Sequence, residues 1–205
     1  MPGESLRRAT AGAVLAGSAF EALRGISARE RQTYTAINNL PDALAPFVWV
    51  PMQFGSLTSP LAIGSVAYLT TRRSDPAVSI IAAGVTAWIT AKVVKKVVGR
   101  GRPFDSDPHT SLRLGTDTTG SLGFVSGHAA VAMAVASVLS RHTSPTLGTA
   151  FYGLACLAGV SRVYVGAHWP IDVIGGLALG ILADEITLQA VVELSHIPRS
   201  GMSDS

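Results

Sequence analysis

Residues 124–183 have the sequence FVSGHAAVAMAVASVLSRHTSPTLGTAFYGLACLAGVSRVYVGAHWPIDVIGGLALGILA. Three long apolar runs, at residues 124–139, 147–165 and 170–183, alternate here with short polar clusters. A helix that crosses a bilayer needs about 20 mostly apolar residues. The runs come close to that length, so this part of the chain is predicted to cross a membrane three times.

The whole chain shares this apolar character. Of its 205 residues, 48% are hydrophobic and only 14% are charged, and the mean hydropathy is +0.38. Soluble domains carry about 25% charged residues. Two more apolar runs, at residues 46–69 and 77–94, add predicted spans, and Pro51 and Pro60 are expected to bend the first of them. A short run at residues 9–20 either spans the bilayer or lies partly within it.

These runs predict one all-α domain over residues 1–205, an integral-membrane bundle of five to six transmembrane helices. A cleaved signal peptide is disfavoured, because no clear small-residue cleavage site precedes a soluble domain. Residues 27–45 are predicted to form a short amphipathic helix at the membrane surface, since Ser27 and Glu30 match a capping box. An ordinary polar loop is the equal alternative. Residues 196–205 are predicted to be a loose polar tail.

Three polar clusters interrupt the apolar runs, at residues 95–103, 126–128 and 161–172. The first ends one span and the second begins the next, so the two lie on the same membrane face. The chain then crosses the bilayer twice, and the third cluster therefore returns to that face. Together the clusters hold cations, a glycine at a helix start, two histidines and a carboxylate, which can bind and process a phosphate group.

The first cluster is basic and lies where helix gives way to loop. Lysine offers a point charge and arginine a planar fork that matches phosphate oxygens. We predict that Lys95 and Arg102 bind phosphate, and that Lys92, Lys96 and Arg100 are basic anchors at the lipid headgroups. Basic residues lie at both ends of the predicted spans, so the positive-inside rule does not decide which side this face looks toward.

The second cluster begins an apolar helical run. Ser126 is a good N-cap, Gly127 leaves room for a ligand against the backbone, and free N–H groups at a helix start bind anions. His128 is predicted to point from the first turn into the same space. A plain capped helix with a surface histidine has the same pattern and is the alternative.

The third cluster combines an arginine with a histidine and a carboxylate. Arg162 follows Ser161 at the end of one span, and an arginine at that depth usually faces a pocket. Asp172 lies in the first turn of the next helix and can reach back to one ring nitrogen of His168. The other nitrogen is then free to act as a nucleophile or base. A satisfied interfacial histidine is the alternative.

These residues together resemble the type 2 phosphatidic acid phosphatase superfamily. Its motifs are a lysine, six residues and Arg-Pro; then Pro-Ser-Gly-His; then Ser-Arg, five residues, His, three residues and Asp. Val125 stands where the family usually has proline, which removes no chemical group. The matching residues, in chain order, are Lys95, Arg102, Pro103, Ser126, Gly127, His128, Ser161, Arg162, His168 and Asp172.

The resemblance implies a metal-independent membrane phosphatase that uses no cofactor and works through a phosphohistidine. His168 would attack phosphorus, Asp172 would orient it, and His128 would protonate the leaving oxygen. The implied substrate is a lipid phosphate: polyprenyl phosphate or diphosphate, phosphatidic acid, or phosphatidylglycerol phosphate. The implied location is a bacterial cell membrane, with the site toward the extracytoplasmic side. The residues expected to hold the phosphate oxygens are Lys95, Arg102, Ser126, Gly127, Arg162 and Ser161.

Several other functions fit parts of the pattern. The same pocket could serve a phosphotransferase or a vanadate-dependent haloperoxidase, although the strong membrane character argues against the peroxidase. The intact His128, His168 and Asp172 disfavour a non-catalytic lipid-binding or transport protein. A metal site is disfavoured, because zinc-type spacing is missing and several cations would repel a divalent ion.

Two further features bear on partners and compartment. Nucleic-acid binding is not expected despite the net charge of +3, since the basic residues follow the ends of apolar runs rather than one soluble face. Cys156 is the only cysteine, so it cannot form an internal disulfide, and it is expected to pack inside the bundle.

Overall fold

The computed structural model describes residues 2–116, 120 and 122–195. The secondary structure of this part is helical, apart from one isolated β-bridge between Gly101 and Leu122. This confirms the all-α prediction. The predicted tail at residues 196–205 lies outside the described residues. In chain order the helices are α1 (Pro2–Leu23), α2 (Ala28–Asn38), α3 (Ala45–Phe54), α4 (Ser59–Thr71), α5 (Ser74–Val98), α6 (Pro103–Ser106), α7 (Gly127–Arg141), α8 (Pro145–Tyr164) and α9 (Pro170–Ser195), with a 3-10 turn at Asp42–Leu44 before α3.

Helix α7 forms the centre of the bundle. Its residues 129–138 are all buried, and it packs against α5, α8 and α9. Alanine occupies every second position from Ala130 to Ala136, and small side chains of this kind allow neighbouring helices to approach closely. Around this centre, α1 packs on α9, α4 on α5, and α3 on α8. The start of α7 is therefore held from several sides.

Two glycines of α9 let it approach the backbone of α7. A Cβ atom at Gly176 would overlap the carbonyl oxygen of Ser126, and one at Gly180 would overlap that of Ala130. Glycines spaced four residues apart serve the same purpose in pairs of membrane helices. This contact fixes α9, and with it the loop that precedes α9, against the start of α7.

We expect Gly180→Ala to destabilise the bundle by about 1–3 kcal/mol, the usual cost of overpacking a filled core. The added methyl group would have to displace backbone atoms of α7. Gly153→Ala in α8 is the matched control, because a Cβ atom there meets nothing within 4 Å and alanine favours helix. Thermal unfolding in detergent compares the two variants, and equal midpoints would contradict the close helix contact.

The outer surface of the bundle is apolar. On α5, the side chains of Val85, Ile89, Val93 and Val97 are exposed at helical spacing, as expected for a face that meets lipid. Within the described residues, α5 is the one helix that is long and apolar enough to cross a membrane by length and composition. The membrane bundle is thus supported by its surface, while the count of five to six spans stays a prediction.

Helix α8 presents Ala155, Ala158 and Gly159 to the core. Cys156 lies outside this buried face and is exposed. The expectation that Cys156 packs inside the bundle is therefore wrong. An apolar run without a polar face does not reveal which of its sides turns inward.

Residues 46–69 form two helices rather than the single bent span that was predicted. Between α3 and α4, Gly55 lies against the main chain of His128, where a Cβ atom would overlap the carbonyl oxygen. Ser59 Oγ donates to the carbonyl of the last residue of α3 at 2.7 Å. Pro60 lies in the first turn of α4, where proline starts a helix rather than kinks it. With 10 and 13 residues, neither helix reaches the length of a span.

The short helix predicted after Ser27 is confirmed as α2, and the loop alternative is wrong. Ser27 Oγ accepts a hydrogen bond from the N–H of Glu30 at 3.1 Å. The Glu30 side chain, which would complete a capping box by returning to Ser27, points into the protein instead. Tyr34 packs on Trp169, with ring centroids 4.6 Å apart. Helix α2 therefore covers the start of α9, and its position at the membrane surface stays a prediction.

Candidate active site

A cavity of about 280 Å³ lies where α5 ends and α7 begins. All three polar clusters contribute to its wall, as the count of spans predicts. The α3–α4 turn and α5 supply Gly55, Leu57, Trp88, Ala91 and Lys92. The lining residues that were predicted as site residues are Lys95, Arg102, Gly127, His128, Arg162 and His168.

Backbone carbonyls hold two of the cations in place. Lys95 Nζ donates to the carbonyl of Gly123 at 2.8 Å, and Arg102 Nε donates to that of Leu122 at 3.2 Å. Gly101 also forms an antiparallel bridge with Leu122. The basic loop after α5 is thereby joined to the segment that leads into α7. The first two polar clusters face one cavity because the main chain pairs them.

Arg162 enters the cavity from the end of α8 and is only 3% exposed. Its Nη1 atom donates to the carbonyl of Gly115 at 2.7 Å and lies 3.0 Å from the sulfur of Met52. The guanidinium is therefore oriented by two other parts of the chain. A buried arginine that is fixed in this way presents a planar set of donors to an anion.

The start of α7 forms another wall. Ser126 caps the helix, since its Oγ accepts from the N–H of Ala129 at 3.5 Å, and its own N–H donates to the carbonyl of Asp172 at 2.8 Å. Gly127 and His128 line the cavity in the first turn. A Cβ atom at Gly127 would meet nothing within 4 Å, so open space adjoins the backbone there. An anion can approach the helix start at this point.

His168 lies in the loop between α8 and α9, one helical turn before Asp172. The His168 Nδ1 atom is 3.5 Å from Asp172 Oδ2. That carboxylate oxygen also accepts from the N–H of Trp169 at 2.9 Å, which fixes it at the start of α9. The backbone N–H of His168 donates to the carbonyl of Arg162 at 3.2 Å. The histidine and the arginine of the third cluster are thus joined through the backbone.

Burial, followed by the nearby charges of Lys95, Arg162 and Arg102, lowers the pKa of His168 well below its ordinary value. The neutral imidazole is therefore the stable form at neutral pH. A neutral ring whose Nδ1 atom faces a carboxylate keeps a lone pair on Nε2. That atom is available as a nucleophile.

Arg100 is not the lipid anchor that the sequence suggested. It is 8% exposed, and its Nη1 atom donates to Glu30 Oε1 at 3.1 Å and to Asp172 Oδ1 at 2.9 Å. Burial alone would lower the pKa of Arg100, but the hydrogen bond to Glu30 and the charge of Asp172 raise it above its usual value. Arg100 therefore stays charged and ties α2 to the carboxylate behind His168.

Sequence reasoning missed this network. Glu30 is 70 residues from Arg100 along the chain, and Arg100 is 72 residues from Asp172. A local pattern cannot connect such distant residues. The one available signal was Glu30 itself. Its carboxylate was assigned to a capping box with Ser27, but it can equally pair with a distant cation.

Two predicted phosphate ligands lie outside the cavity lining. Ser161 Oγ donates to the carbonyl of Leu157 at 2.7 Å and to that of Val48 at 3.2 Å. Ser161 therefore joins α8 to α3, and its hydroxyl hydrogen already has backbone acceptors. Ser126 is completely buried and serves the helix start. Both residues shape the site through the backbone, whereas the cations face the cavity.

The donor set suits an anion rather than a cation. Within the described ranges, no group of three or more His, Cys, Asp and Glu side chains could hold a metal ion. Asp172 shares the site with His128 and His168, but both of its oxygens accept hydrogen bonds from Arg100 and Trp169. Lys95, Arg102 and Arg162 give the cavity a positive charge, which favours phosphate.

The chain is similar to several known proteins. The chain is 28% identical to the bacitracin transport permease protein BcrC of Bacillus licheniformis over 67% of this chain and 68% of the relative. It is 31% identical to an undecaprenyl-diphosphatase of Sulfolobus acidocaldarius over 70% of this chain and 63% of the relative. The chain spans less than two thirds of most of the curated relatives that it matches.

The fold recurs in a solved structure, the first transmembrane PAP2 type phosphatidylglycerolphosphate phosphatase from Bacillus subtilis. The TM-score is 0.65 at 23% identity, over 91% of this chain and 98% of the other. Residues 75–195 match the model of the PAP2 superfamily. The match covers more than half of the chain and includes all three polar clusters with their spacing. The resemblance inferred from the motifs is thus confirmed, and the chain belongs to the PAP2 superfamily.

Proposed function

We propose that this protein is a metal-independent membrane phosphatase that hydrolyses a lipid phosphate or diphosphate through a phosphohistidine. The observation that supports this most is the position of His168. Its ring lies between Asp172 and a cavity whose wall presents Lys95, Arg102 and Arg162. A buried imidazole that faces a cavity with three cations is suited to attack a bound phosphoryl group.

In the first half of the reaction, Nε2 of His168 attacks phosphorus and forms a P–N bond. The bond from phosphorus to the leaving oxygen breaks, and its electron pair stays on that oxygen. His128, in the first turn of α7, donates the proton that the leaving oxygen needs. Asp172 balances the positive charge that develops on the His168 ring. The cations and the start of α7 stabilise the charge on the equatorial oxygens.

In the second half, water attacks the phosphohistidine. His128, now neutral, accepts a proton from the water, and the P–N bond breaks with its electron pair returning to His168. Inorganic phosphate leaves, and the site is restored. Each step uses the two histidines in turn, so no metal-bound water is required.

The proposed substrates are amphiphiles whose phosphate lies at the headgroup plane. Candidates are polyprenyl phosphate or diphosphate, phosphatidic acid and phosphatidylglycerol phosphate. The names of the relatives, which include an undecaprenyl-diphosphatase, support this class. The apolar outer surface of the bundle supports delivery of the substrate from the bilayer.

The direct test is phosphate release by the purified full chain in detergent, across a panel of these lipids, with and without EDTA. We expect release from at least one lipid and no effect of the chelator. Loss of activity in EDTA would contradict the metal-independent mechanism. Transfer of phosphate to an added alcohol, with no release to water, would instead indicate a phosphotransferase.

We expect His128→Ala to slow turnover about a hundredfold or more, the usual contribution of a general acid–base group. The defect in forming the phosphohistidine should shrink on an aryl phosphate with an acidic leaving group, because that oxygen needs no proton to depart. Rapid-quench measurement of the phosphohistidine formed from the lipid and from the aryl substrate shows the difference, since hydrolysis of the phosphohistidine is the same for both. An equal loss in this first step on both substrates would assign His128 to binding rather than to protonation of the leaving oxygen.

The proposed location is a bacterial cell membrane with the cavity open to the extracytoplasmic side, and the side rests on the family resemblance alone. His109 is exposed in the loop after α6, in the part of the chain between the first two polar clusters. A cysteine placed there on a Cys156→Ala background should react with a membrane-impermeant thiol reagent in whole cells. Labelling that appears only after lysis would place the site in the cytoplasm.

A further inference from the structure

Three residues of α5 form a ladder along one wall of the cavity. Trp88, Lys92 and Lys95 are spaced four and three residues apart, so they lie on one face of the helix, and all three line the cavity. The Lys92 ammonium lies over the Trp88 ring, 3.8 Å from its centroid. This contact holds the lysine side chain along the helix toward the N-terminal turn. Lys92 is exposed, as expected of a basic anchor at the lipid headgroups, and it also lines the cavity.

The ladder has a polar end and an apolar end. Lys95 lies beside Arg102, Arg162 and His168, where the reacting phosphate is proposed to bind. Lys92 lies one turn earlier, a rise of about 4.5 Å along the helix axis, on the side that leads into the membrane. Trp88, together with Leu57 and Ala91, continues the wall beyond it. The order along this wall is therefore the phosphate cradle formed by Lys95, Arg102 and Arg162, then one further cation, then apolar side chains.

A lipid phosphate bound in the cradle extends its leaving group toward Lys92. In a lipid monophosphate the leaving oxygen is followed by carbon, which gains nothing from an ammonium. In a lipid diphosphate the leaving oxygen is followed by a second phosphoryl group, which is an anion. In the described part of the chain, Lys92 forms no ion pair with a carboxylate, so its charge is available to such an anion.

We propose that Lys92 binds the second phosphoryl group of a lipid diphosphate, and that the protein is therefore selective for diphosphates over monophosphates. The inference rests on the proposed phosphatase function. When His168 takes the terminal phosphoryl group, the bond to the bridging oxygen breaks and its electron pair remains there. The product is a lipid monophosphate, whose added charge lies next to Lys92. The ammonium carries three hydrogens, so it can rest on the aromatic face of Trp88 and still donate to a phosphate oxygen.

The test compares a polyprenyl diphosphate with the monophosphate of the same chain, using the purified full chain in detergent. The variant is Lys92→Gln, and the matched control is Lys96→Gln, a neighbouring exposed lysine that does not line the cavity. We expect Lys92→Gln to lower kcat/KM for the diphosphate roughly ten- to a hundredfold, the size of one charge-assisted hydrogen bond. The loss on the monophosphate should be much smaller. Lys92→Arg should restore part of the diphosphate activity.

The outcomes separate the two proposals. Equal losses on both substrates, or no loss on either, would overturn the role of Lys92 while leaving the phosphatase function intact. A wild-type protein that prefers the monophosphate would do the same. Activity on other lipids of the panel but on neither polyprenyl lipid would overturn the diphosphate selectivity, and release of phosphate from no lipid of the panel would refute the phosphatase function itself. Elution as a single species in size-exclusion chromatography confirms that the variants are folded.

Discussion

Replacing His168 by alanine is expected to abolish phosphate release, with a loss of roughly four orders of magnitude or more, as for other enzymes deprived of their nucleophile. The ring is buried beside Asp172, and among the described residues the other imidazole that lines the cavity is His128. His128 is proposed to transfer the proton, and it does not lie next to the Asp172 carboxylate in the sequence, so it is not expected to take over the attack. Release of phosphate from the best lipid of the panel measures the loss.

A second readout distinguishes chemistry from folding. Brief exposure of the wild-type protein to substrate labelled in the phosphoryl group should leave a label that is stable to base and labile to acid, as a phosphohistidine is. His168→Ala should show no such label. His109→Ala is the matched control, because His109 is exposed and does not line the cavity. Full turnover by His168→Ala would show that His168 is not the nucleophile.

Arg100→Leu is expected to lower the free energy of unfolding by about 3–5 kcal/mol, the usual cost of removing one partner from a buried ion pair. Leucine fills part of the space but leaves the carboxylates of Glu30 and Asp172 buried without their cation. The same change should slow turnover, because Arg100 fixes the Asp172 oxygen that does not face His168. Chemical unfolding in detergent and steady-state rates measure the two effects.

Two variants sharpen this prediction. Arg24→Ala removes an exposed arginine that follows α1 and pairs with Glu21 in the last turn of that helix, and such surface pairs contribute at most about 1 kcal/mol. Adding Glu30→Gln to Arg100→Leu should restore part of the lost stability, since one of the two buried charges disappears. If Arg100→Leu were as stable as Arg24→Ala, the buried network would have no structural role.

The chemistry of the site could be predicted because its signals are local. His168 and Asp172 lie one helical turn apart, so the spacing alone places the carboxylate within reach of the ring. Ser126 and Gly127 mark a helix start by their residue types. The alternation of apolar runs and polar clusters determines that the three clusters share one face, because each crossing of the membrane reverses the direction of the chain.

Other features depended on contacts that the sequence does not display. The break between α3 and α4 follows from the close approach of Gly55 to His128, which belongs to a different helix. The position of Ser161 also depends on another helix, because its hydroxyl donates to a carbonyl of α3 and does not face the cavity. A run of apolar residues gives the length of a helix, but its interruptions are set by the neighbours that it packs against.

The sequence by itself determined the all-α architecture, the family, and the set of groups that can handle a phosphate. The tertiary structure alone decided which basic residues face the cavity and which carboxylate stands behind them. Arg100 and Lys92 look alike in a basic stretch, yet one is buried between Glu30 and Asp172 and the other lies over Trp88. The physical reason is that the role of a charge depends on its partners, and those partners come from helices that are distant in sequence.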